Sequence, residues 1–219
     1  MPANRQILLK SRPTAPPSAA NFELVQTPVP APKDGELLLK TLFLSLDPYM
    51  RGRMNSGPSY AAPAEVGQPM VGRTIAEIVA SNHPGFAKGE IVSSDNGWQD
   101  YAISKGTNHT KLDQKVVKPL SLALGLLGMP GMTAYAGLNE IGQPKPGETV
   151  VVSAASGAVG SVVGQLAKLK GCRAVGVAGG PEKCKFVVET LGFDACIDHR
   201  DEHLHERLLG RLFGHIFRL

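Results

Sequence analysis

The sequence has few cysteines, and they are not arranged as metal ligands. Among its 219 residues there are three, Cys172, Cys184 and Cys196, without the closely spaced pairs of a tetrahedral zinc site. An odd number of unpaired cysteines is typical of reduced thiols in the cytosol. We therefore expect a cytoplasmic protein and no metal site.

Long apolar runs are also missing. Residues 1–17 carry charges and several prolines but not the apolar core of a secretory signal. The most apolar stretch, residues 120–132, is interrupted by glycine and proline and is too short to cross a membrane. No export signal and no membrane partner are expected.

Charge of one sign is not concentrated anywhere, although the net charge is +4. The lysines and arginines are scattered, so a nucleic-acid partner is not expected. Hydrophobic residues make up 42% of the sequence and charged residues 19%, which is typical of a globular protein.

Two different patterns follow one another along the chain. Short apolar runs punctuated by proline and glycine predict a β domain in the first part. The predicted strands cover residues 6–10, 36–45, 71–79, 90–94 and 99–103. From Ser121 onward, helical segments alternate with β-branched runs, which indicates an α/β unit with a parallel sheet. We place the domain boundary near residue 120, giving domains of 1–120 and 121–219.

The second part has the order β-α-β-α-β after a first helix. The predicted helices cover residues 133–141, 158–170 and 181–191, and the predicted strands cover 148–154, 172–178 and 195–198. Gly171 and Gly192 are expected at helix C-termini, where a residue without Cβ adopts the left-handed conformation easily. This order is one mononucleotide-binding half of a doubly wound fold.

A glycine motif follows the first strand of that unit. Residues 155–160 read ASGAVG, a variant of GxGxxG with alanine in place of the first glycine. Gly157 would let the backbone approach a pyrophosphate, and Gly160 would let the helix pack closely on the sheet. The helix N-terminus would offer free N–H groups to the anion. We predict a dinucleotide site; a glycine-rich turn without a ligand is the alternative.

The end of the second strand favours NADP(H) over NAD(H). An NAD site places a carboxylate there to bind the ribose hydroxyls. This chain has Ala178, Gly179 and Gly180 instead, followed by Lys183. Small residues leave room for a 2′-phosphate, and a lysine neutralises its charge. Alternatively, Lys183 is an ordinary solvated lysine.

Three segments together resemble a known family. They are LDPYMRGRM at residues 46–54, GMPGMTAY at 128–135, and ASGAVGSVVG at 155–164 with GPEK at 180–183. They resemble the zinc-independent medium-chain dehydrogenase/reductases of the leukotriene B4 12-hydroxydehydrogenase and prostaglandin reductase group, and within it the curcumin-reductase branch. The resemblance covers residues 6–208 and implies a GroES-like β domain followed by a Rossmann-type domain, in a family of homodimers.

The resemblance also implies an activity and a set of cofactor contacts. The family moves a hydride from NADPH to the β-carbon of an α,β-unsaturated ketone or aldehyde without a metal. The positions that match its cofactor contacts are Thr133, Gly157, Ala158, Val159, Gly160 and Lys183. His199 stands where leukotriene-type members have a tyrosine near the 2′-phosphate, and imidazole can also donate a hydrogen bond there.

Tyr49 is the expected catalytic residue at the substrate end. Its phenol could donate a hydrogen bond to the substrate carbonyl as negative charge develops on the oxygen. The alternative is a buried aromatic residue at a strand end. Arg51 and Tyr60 are further substrate candidates; otherwise Arg51 forms a surface ion pair and Tyr60 lies in an exposed loop.

The resemblance ends near residue 209, and residues 209–219 do not lead into the family's next strand. Only the first half of the Rossmann fold is therefore expected, and a truncated or frameshifted reading frame is our interpretation. The tail has apolar residues on one helical face. They are Leu204, Leu208, Leu209, Leu212, Phe213, Ile216 and Phe217. This face could cover the sheet, or the helix could lie on a membrane surface.

Three functions are consistent with these observations. The first is reduction of the C=C bond of enones and enals by NADPH. The second is an NADP-binding remnant without catalysis, and the third is quinone reduction on the same fold.

Overall fold

Strand-forming residues dominate the first part of the chain in the computed structural model, which describes residues 3–211. The chain divides into two units, Met1–Leu124 and Gly125–Leu219. The strands of the first unit are β1 (Ala3–Leu9), β2 (Phe22–Pro28), β3 (Leu37–Leu44), β4 (Thr74–Ser81), β5 (Ile91–Ser94), β6 (Tyr101–Ser104) and β7 (Thr110–Lys111). A short helix, α1 (Tyr49–Arg53), lies between β3 and β4.

The strands of the first unit pair antiparallel. Five form a sheet in the order β6-β3-β4-β5-β7, and β1 pairs with β2. Alternate residues point to one face of a strand, so Leu37 and Leu39 of β3 are buried with Ala76 and Ile78 of β4. This face is one core of the β domain.

Strand β2 was not among the predicted strands. Leu24 is 65% exposed, and most other side chains of the strand also lie outside the core. The strand therefore lacks the alternation of apolar and polar residues by which a half-buried strand is predicted. The strand is held by its backbone pairing with β1 and by Phe22, whose ring stacks on Trp98 with the ring centroids 5.5 Å apart. Partners this distant in sequence leave little local signal.

The second unit has the predicted β-α-β-α-β order. Its elements are α2 (Met129–Ala136), β8 (Thr149–Val152), α3 (Gly160–Leu169), β9 (Arg173–Ala178), α4 (Pro181–Glu189), β10 (Ala195–Asp198) and α5 (Leu204–Arg211). The strands are parallel in the order β10-β9-β8. Gly171 and Gly192 have φ angles of 77° and 74°, as expected after a helix. The predicted half of a Rossmann fold is therefore confirmed.

The first helix of this unit differs from the prediction for residues 133–141. It starts at Met129, because Pro130 fits the first turn, where no N–H donor is needed. Gly131 is required there, since a Cβ would lie 1.7 Å from the carbonyl oxygen of Leu126. The helix continues as a π-helix, Gly137–Gly142, and ends at Gln143 with a φ of 42°.

Helix α5 covers part of the sheet. Leu204 and Leu208 pack against a cluster that contains Val175 and Ile197. In this part of the tail, the apolar face of the helix packs on the sheet, which is the first of the two alternatives given for the tail. Leu212, Phe213, Ile216 and Phe217 lie outside the described residues. Between residues 3 and 211, no helix combines the length and the apolar composition that a membrane span requires.

A glycine-aromatic contact between α3 and the loop before β10 generates a prediction. A Cβ on Gly164 would lie 1.8 Å from Cζ of the buried Phe193. Overpacking should cost about 1–3 kcal/mol, and a gain of about 1 kcal/mol in helix propensity offsets part of it. We therefore expect Gly164→Ala to lower the free energy of unfolding by up to about 2 kcal/mol. Urea unfolding followed by far-UV circular dichroism measures the change.

Gly52→Ala is the matched control, because Gly52 is also helical but has no atom within 4 Å of a Cβ position. It should be neutral or stabilising. Adding Phe193→Leu should reduce the penalty of Gly164→Ala, since a smaller side chain relieves the overlap. Equal stability of Gly164→Ala and the unmodified chain would contradict the proposed contact.

Candidate functional site

The candidate site lies at the carboxyl edge of the parallel sheet. The register pairs Val152 of β8 with Gly176, and Asp198 of β10 with Ala178 of β9. Because the strands are parallel, the segments that follow them meet at the same edge. Ligands bind at this edge in open α/β sheets.

The segment after β8 is a tight turn into α3. Ala154 has a φ of 47°, and the N–H of Gly157 donates to its carbonyl oxygen at 2.8 Å. A Cβ on Gly160 would lie 2.5 Å from the same oxygen, so this glycine permits the close approach of helix and turn. Gly157 is exposed, and its bare backbone faces solvent. The two glycines thus have the packing properties that the motif predicts.

The start of α3 offers hydrogen-bond donors. Within residues 3–211, the N–H groups of Ala158, Val159 and Gly160 donate no backbone hydrogen bond. The first N–H groups of a helix have no partner in the helix itself, and the helix dipole makes this end favourable for an anion. This arrangement suits a phosphate group.

The segment after β9 is held by a carboxylate from β10. Oδ1 of Asp198 accepts hydrogen bonds from the N–H of Gly180 at 2.9 Å and of Arg200 at 3.0 Å. These two hydrogen bonds lower the pKa of Asp198 below its usual value. Position 180 favours glycine, because residues with a side chain rarely adopt its φ of 93°. The sequence prediction did not include Asp198. The one feature that could have indicated it is the position of a carboxylate at the end of the third strand.

Three basic side chains belong to the segments beside this loop. They are Lys183 in the first turn of α4, and His199 and Arg200 directly after β10. A Cβ on Gly179 would lie 2.7 Å from Nε2 of His199, and one on Gly180 would lie 3.5 Å from Nη1 of Arg200. In the part of the chain that the structure describes, none of the three side chains forms a hydrogen bond or a close ion pair. Arg200 was missed by the sequence prediction.

Thr133 lies on α2, which packs against α3. Its hydroxyl donates to the carbonyl oxygen of Met129 at 2.8 Å, one helical turn earlier. The side chain is exposed, and its oxygen can still accept a hydrogen bond.

Tyr49 starts α1 in the first unit. Its half-buried ring packs against a cluster that includes Leu9, Met50 and Met70. Burial raises the pKa of the Tyr49 phenol, and the carboxylates of Asp47 and Asp95 raise it further. No other residue of the described chain hydrogen-bonds the hydroxyl group. Tyr49 is therefore a protonated donor with its O–H unused.

Arg51 is bound to the protein by three hydrogen bonds. Nη1 donates to Oδ1 of Asn55 at 2.7 Å, and Nη2 donates at 3.3 Å to the carbonyl oxygens of both Pro13 and Ala15. The ion pair considered from the sequence is not found among the described residues. Tyr60 is 84% exposed in its loop.

Metal ligands do not cluster in the described chain. Between residues 3 and 211, no three His, Cys, Asp or Glu side chains are grouped so that they could hold a metal ion. Reduction without a metal stays a prediction.

Known proteins are similar to this chain. A family model described as the N-terminal domain of oxidoreductase matches residues 5–112. The NADPH-dependent curcumin reductase of Escherichia coli (strain K12) is 54% identical over 205 residues, covering 94% of this chain and 59% of that protein. The 2-alkenal reductase (NADP(+)-dependent) of Nicotiana tabacum is 42% identical over 217 residues, covering 96% of this chain and 63% of the relative.

A solved structure of an NADPH complex is also similar to this chain. The crystal structure of CurA in complex with NADPH from Vibrio vulnificus is 55% identical, with a TM-score of 0.89, and the match covers 94% of this chain and 61% of that one. The chain is thus similar in sequence and fold to NADP-dependent reductases. The family resemblance seen in the three sequence segments is confirmed, and so is the predicted fold class. The chain spans less than two thirds of the length of these relatives.

The carboxylate of Asp198 generates a prediction about pH. Its lowered pKa in the folded chain means that the charged form stabilises the fold above the unfolded pKa of about 3.9. This stabilisation is lost as the pH falls through the lower folded pKa. We expect Asp198→Asn to lower the melting temperature between pH 5 and 8 by a constant amount, and by less as the pH approaches about 3.

Asp34→Asn is the control, because the Asp34 carboxylate accepts no hydrogen bond from any described residue. Its melting temperature should differ from that of the unmodified chain by the same small amount at every pH. A difference for Asp198→Asn that stays constant down to low pH would show that the charge of this carboxylate does not stabilise the loop.

Proposed function

We propose that the chain binds NADPH at the carboxyl edge of its parallel sheet and belongs to a reductase of the C=C bond in α,β-unsaturated ketones and aldehydes. The observation that carries this proposal is the pairing of a bare glycine turn with unpaired basic side chains. The relatives support the chemistry, since one is an NADPH-dependent curcumin reductase and another a 2-alkenal reductase that depends on NADP(+).

The turn after β8 suits the pyrophosphate of the cofactor. The backbone of Gly157 is exposed, and the N–H groups of Ala158, Val159 and Gly160 lie at the N-terminal end of α3. Such groups bind phosphate oxygens without a charged side chain. We assign Thr133 a supporting contact through its exposed hydroxyl oxygen. When bound, NADPH supplies the hydride that adds to the β-carbon of the substrate.

The segments after β9 and β10 suit the 2′-phosphate. Lys183, His199 and Arg200 can each donate to phosphate oxygens, and Arg200 adds a second permanent positive charge to that of Lys183. The carboxylate of Asp198 is close to this region, but two backbone N–H groups already bind its Oδ1. It is therefore assigned to shaping the loop and not to binding the ribose.

Tyr49 is proposed to stabilise the enolate that forms on hydride addition. The raised pKa keeps the phenol protonated, so its O–H can donate to the carbonyl oxygen as charge builds on it. Arg51 is proposed to act indirectly, because its hydrogen bonds connect α1 to the segment that contains Pro13 and Ala15. Tyr60 remains a substrate candidate on an exposed loop.

NADPH binding without turnover is the alternative to reduction, since the glycine turn and the basic side chains would serve cofactor binding in both cases. Quinone reduction is kept as a substrate alternative. The cytoplasmic location, the homodimer and the small-molecule enone partner remain predictions.

The 2′-phosphate assignment predicts a change in cofactor preference. Lys183→Glu should weaken NADPH binding by about tenfold or more, because a charge-assisted hydrogen bond worth about 1.5–3 kcal/mol is replaced by repulsion. NADH binding should change little, since NADH lacks this phosphate. Arg200→Glu should show the same selectivity. Isothermal titration with each cofactor measures both affinities.

Lys185→Glu is the matched control on the same helix. The Lys185 side chain is 70% exposed, and its Nζ lies 3.8 Å from Oε2 of Glu189. It should leave both affinities close to those of the unmodified chain. Equal losses of NADPH and NADH binding in Lys183→Glu would remove the assignment of Lys183 to the 2′-phosphate.

Substrate reduction is tested with a simple enone. We expect the chain to oxidise NADPH in the presence of butenone faster than in the presence of benzoquinone. Tyr49→Phe should lower turnover of the enone by about a hundredfold, which is typical for loss of one donor to a developing oxyanion. Its NADPH affinity should be unchanged. Tyr101→Phe in β6 is the matched control.

The outcomes separate the candidates. NADPH binding without oxidation by either substrate would support the non-catalytic alternative. Faster oxidation with benzoquinone would favour quinone reduction. Unchanged enone turnover in Tyr49→Phe would leave Tyr49 with a packing role only.

A further inference from the structure

Two of the three cysteines lie side by side. Cys184 is in α4 and Cys196 is in β10, and the S–H of Cys196 donates to Sγ of Cys184 at 3.1 Å. A disulfide needs the two sulfur atoms about 2.05 Å apart, so they would have to approach by about 1 Å. The 11 intervening residues already fold so that the thiols meet. The cofactor assignment uses neither thiol.

As whole residues, the two neighbouring cysteines are less buried than the third. Cys184 and Cys196 are half-buried. Cys172 is 3% exposed, and its S–H donates to the carbonyl oxygen of Lys145 at 3.3 Å. A small oxidant in water can thus reach the pair more easily than it can reach Cys172.

We propose that Cys184 and Cys196 are a redox-active dithiol that hydrogen peroxide or a small organic hydroperoxide converts to an intramolecular disulfide. Cys184 reacts first, because its sulfur accepts the hydrogen bond and Cys196 is the donor. Burial, and then the neighbouring Cys184, raise the pKa of Cys196 to about 12, so Cys196 keeps its proton and remains the donor.

The reaction balances with the peroxide as the only oxidant. Sulfur of Cys184, after losing its proton to water, attacks one peroxide oxygen, and the O–O bond breaks to release hydroxide, which takes up that proton. Cys184 becomes a sulfenic acid. The sulfur of Cys196 then attacks Sγ of Cys184, the S–O bond breaks, and the hydroxide leaves as water with the Cys196 proton. Two thiols and one hydrogen peroxide give one disulfide and two waters.

The dithiol is connected to the proposed cofactor groups, and this step rests on the proposed function. Lys183 directly precedes Cys184 in α4, while Asp198 and His199 follow Cys196 at the end of β10. Drawing the sulfur atoms together shifts the start of α4 relative to β10. NADPH binding should weaken on the order of tenfold, since misplacements of about 1 Å at such sites have large effects.

Mass spectrometry tests the disulfide directly. The reduced chain is treated with hydrogen peroxide, blocked with N-ethylmaleimide under denaturing conditions and digested with trypsin. The three cysteines then fall in separate peptides, residues 171–173, 184–185 and 186–200. We expect 184–185 joined to 186–200, a loss of about 2 Da for the pair, and 171–173 carrying the blocking group. Dithiothreitol should restore three blocked peptides.

Serine variants provide the controls. Cys172→Ser should form the disulfide as readily as the unmodified chain, whereas Cys184→Ser and Cys196→Ser should not form it. Full blocking of both thiols after peroxide treatment would overturn the proposal, and so would disulfides that join two chains or involve Cys172.

The affinity measurement separates this proposal from the proposed function. Isothermal titration compares NADPH binding to the reduced and the oxidised chain. Absence of binding to the reduced chain would overturn the cofactor site but leave the disulfide result intact. Equal affinities in the two forms would overturn the connection between the dithiol and the cofactor groups.

Discussion

The second unit depends on the close approach of α3 to the sheet, which is possible because two residues of this helix have no Cβ. Gly160 lies against the backbone of Ala154, where a Cβ would be 2.5 Å from the carbonyl oxygen. One turn later, Gly164 faces the ring of Phe193. Larger residues at either position would move the helix away from β8. The N–H groups of its first turn would then no longer lie beside the glycine turn.

Backbone hydrogen bonds also fix the segments after β9 and β10, so the flexible basic side chains of these segments extend from defined backbone positions. Asp198 accepts hydrogen bonds from the N–H groups of Gly180 and Arg200, and thereby connects the end of β9 with the end of β10. Lys183 and Arg200 remain solvated on this rigid support. Their long side chains lose rotamer freedom only when an anion binds, which reduces the net gain from each contact. Several basic side chains should therefore bind an anion more tightly than one.

Local patterns in the sequence predicted the second unit well. The Val-rich strand β8 and the glycines after the helices are local signals that follow from burial and backbone conformation. Strand β2 was missed because its pairing with β1 depends on backbone groups that every residue has. For the same reason, nothing in the sequence showed that Arg51 would donate to main-chain carbonyls. The position of Arg200 near Gly180 depends on how the chain folds back over 20 residues, and short-range periodicity carries no information on that.

The residues proposed to set cofactor preference are not the residues that stabilise the fold. The basic groups at the sheet edge are exposed and make no side-chain hydrogen bonds with the described residues, so their substitution should change stability by about 0.5 kcal/mol or less. Preference between NADPH and NADH can therefore change while the fold remains. The proposed binding of the pyrophosphate cannot be separated from stability in this way. The proposed N–H donors are held in place by the same contact at Gly160 that packs α3 on the sheet, so loss of this contact should remove both stability and the proposed phosphate site.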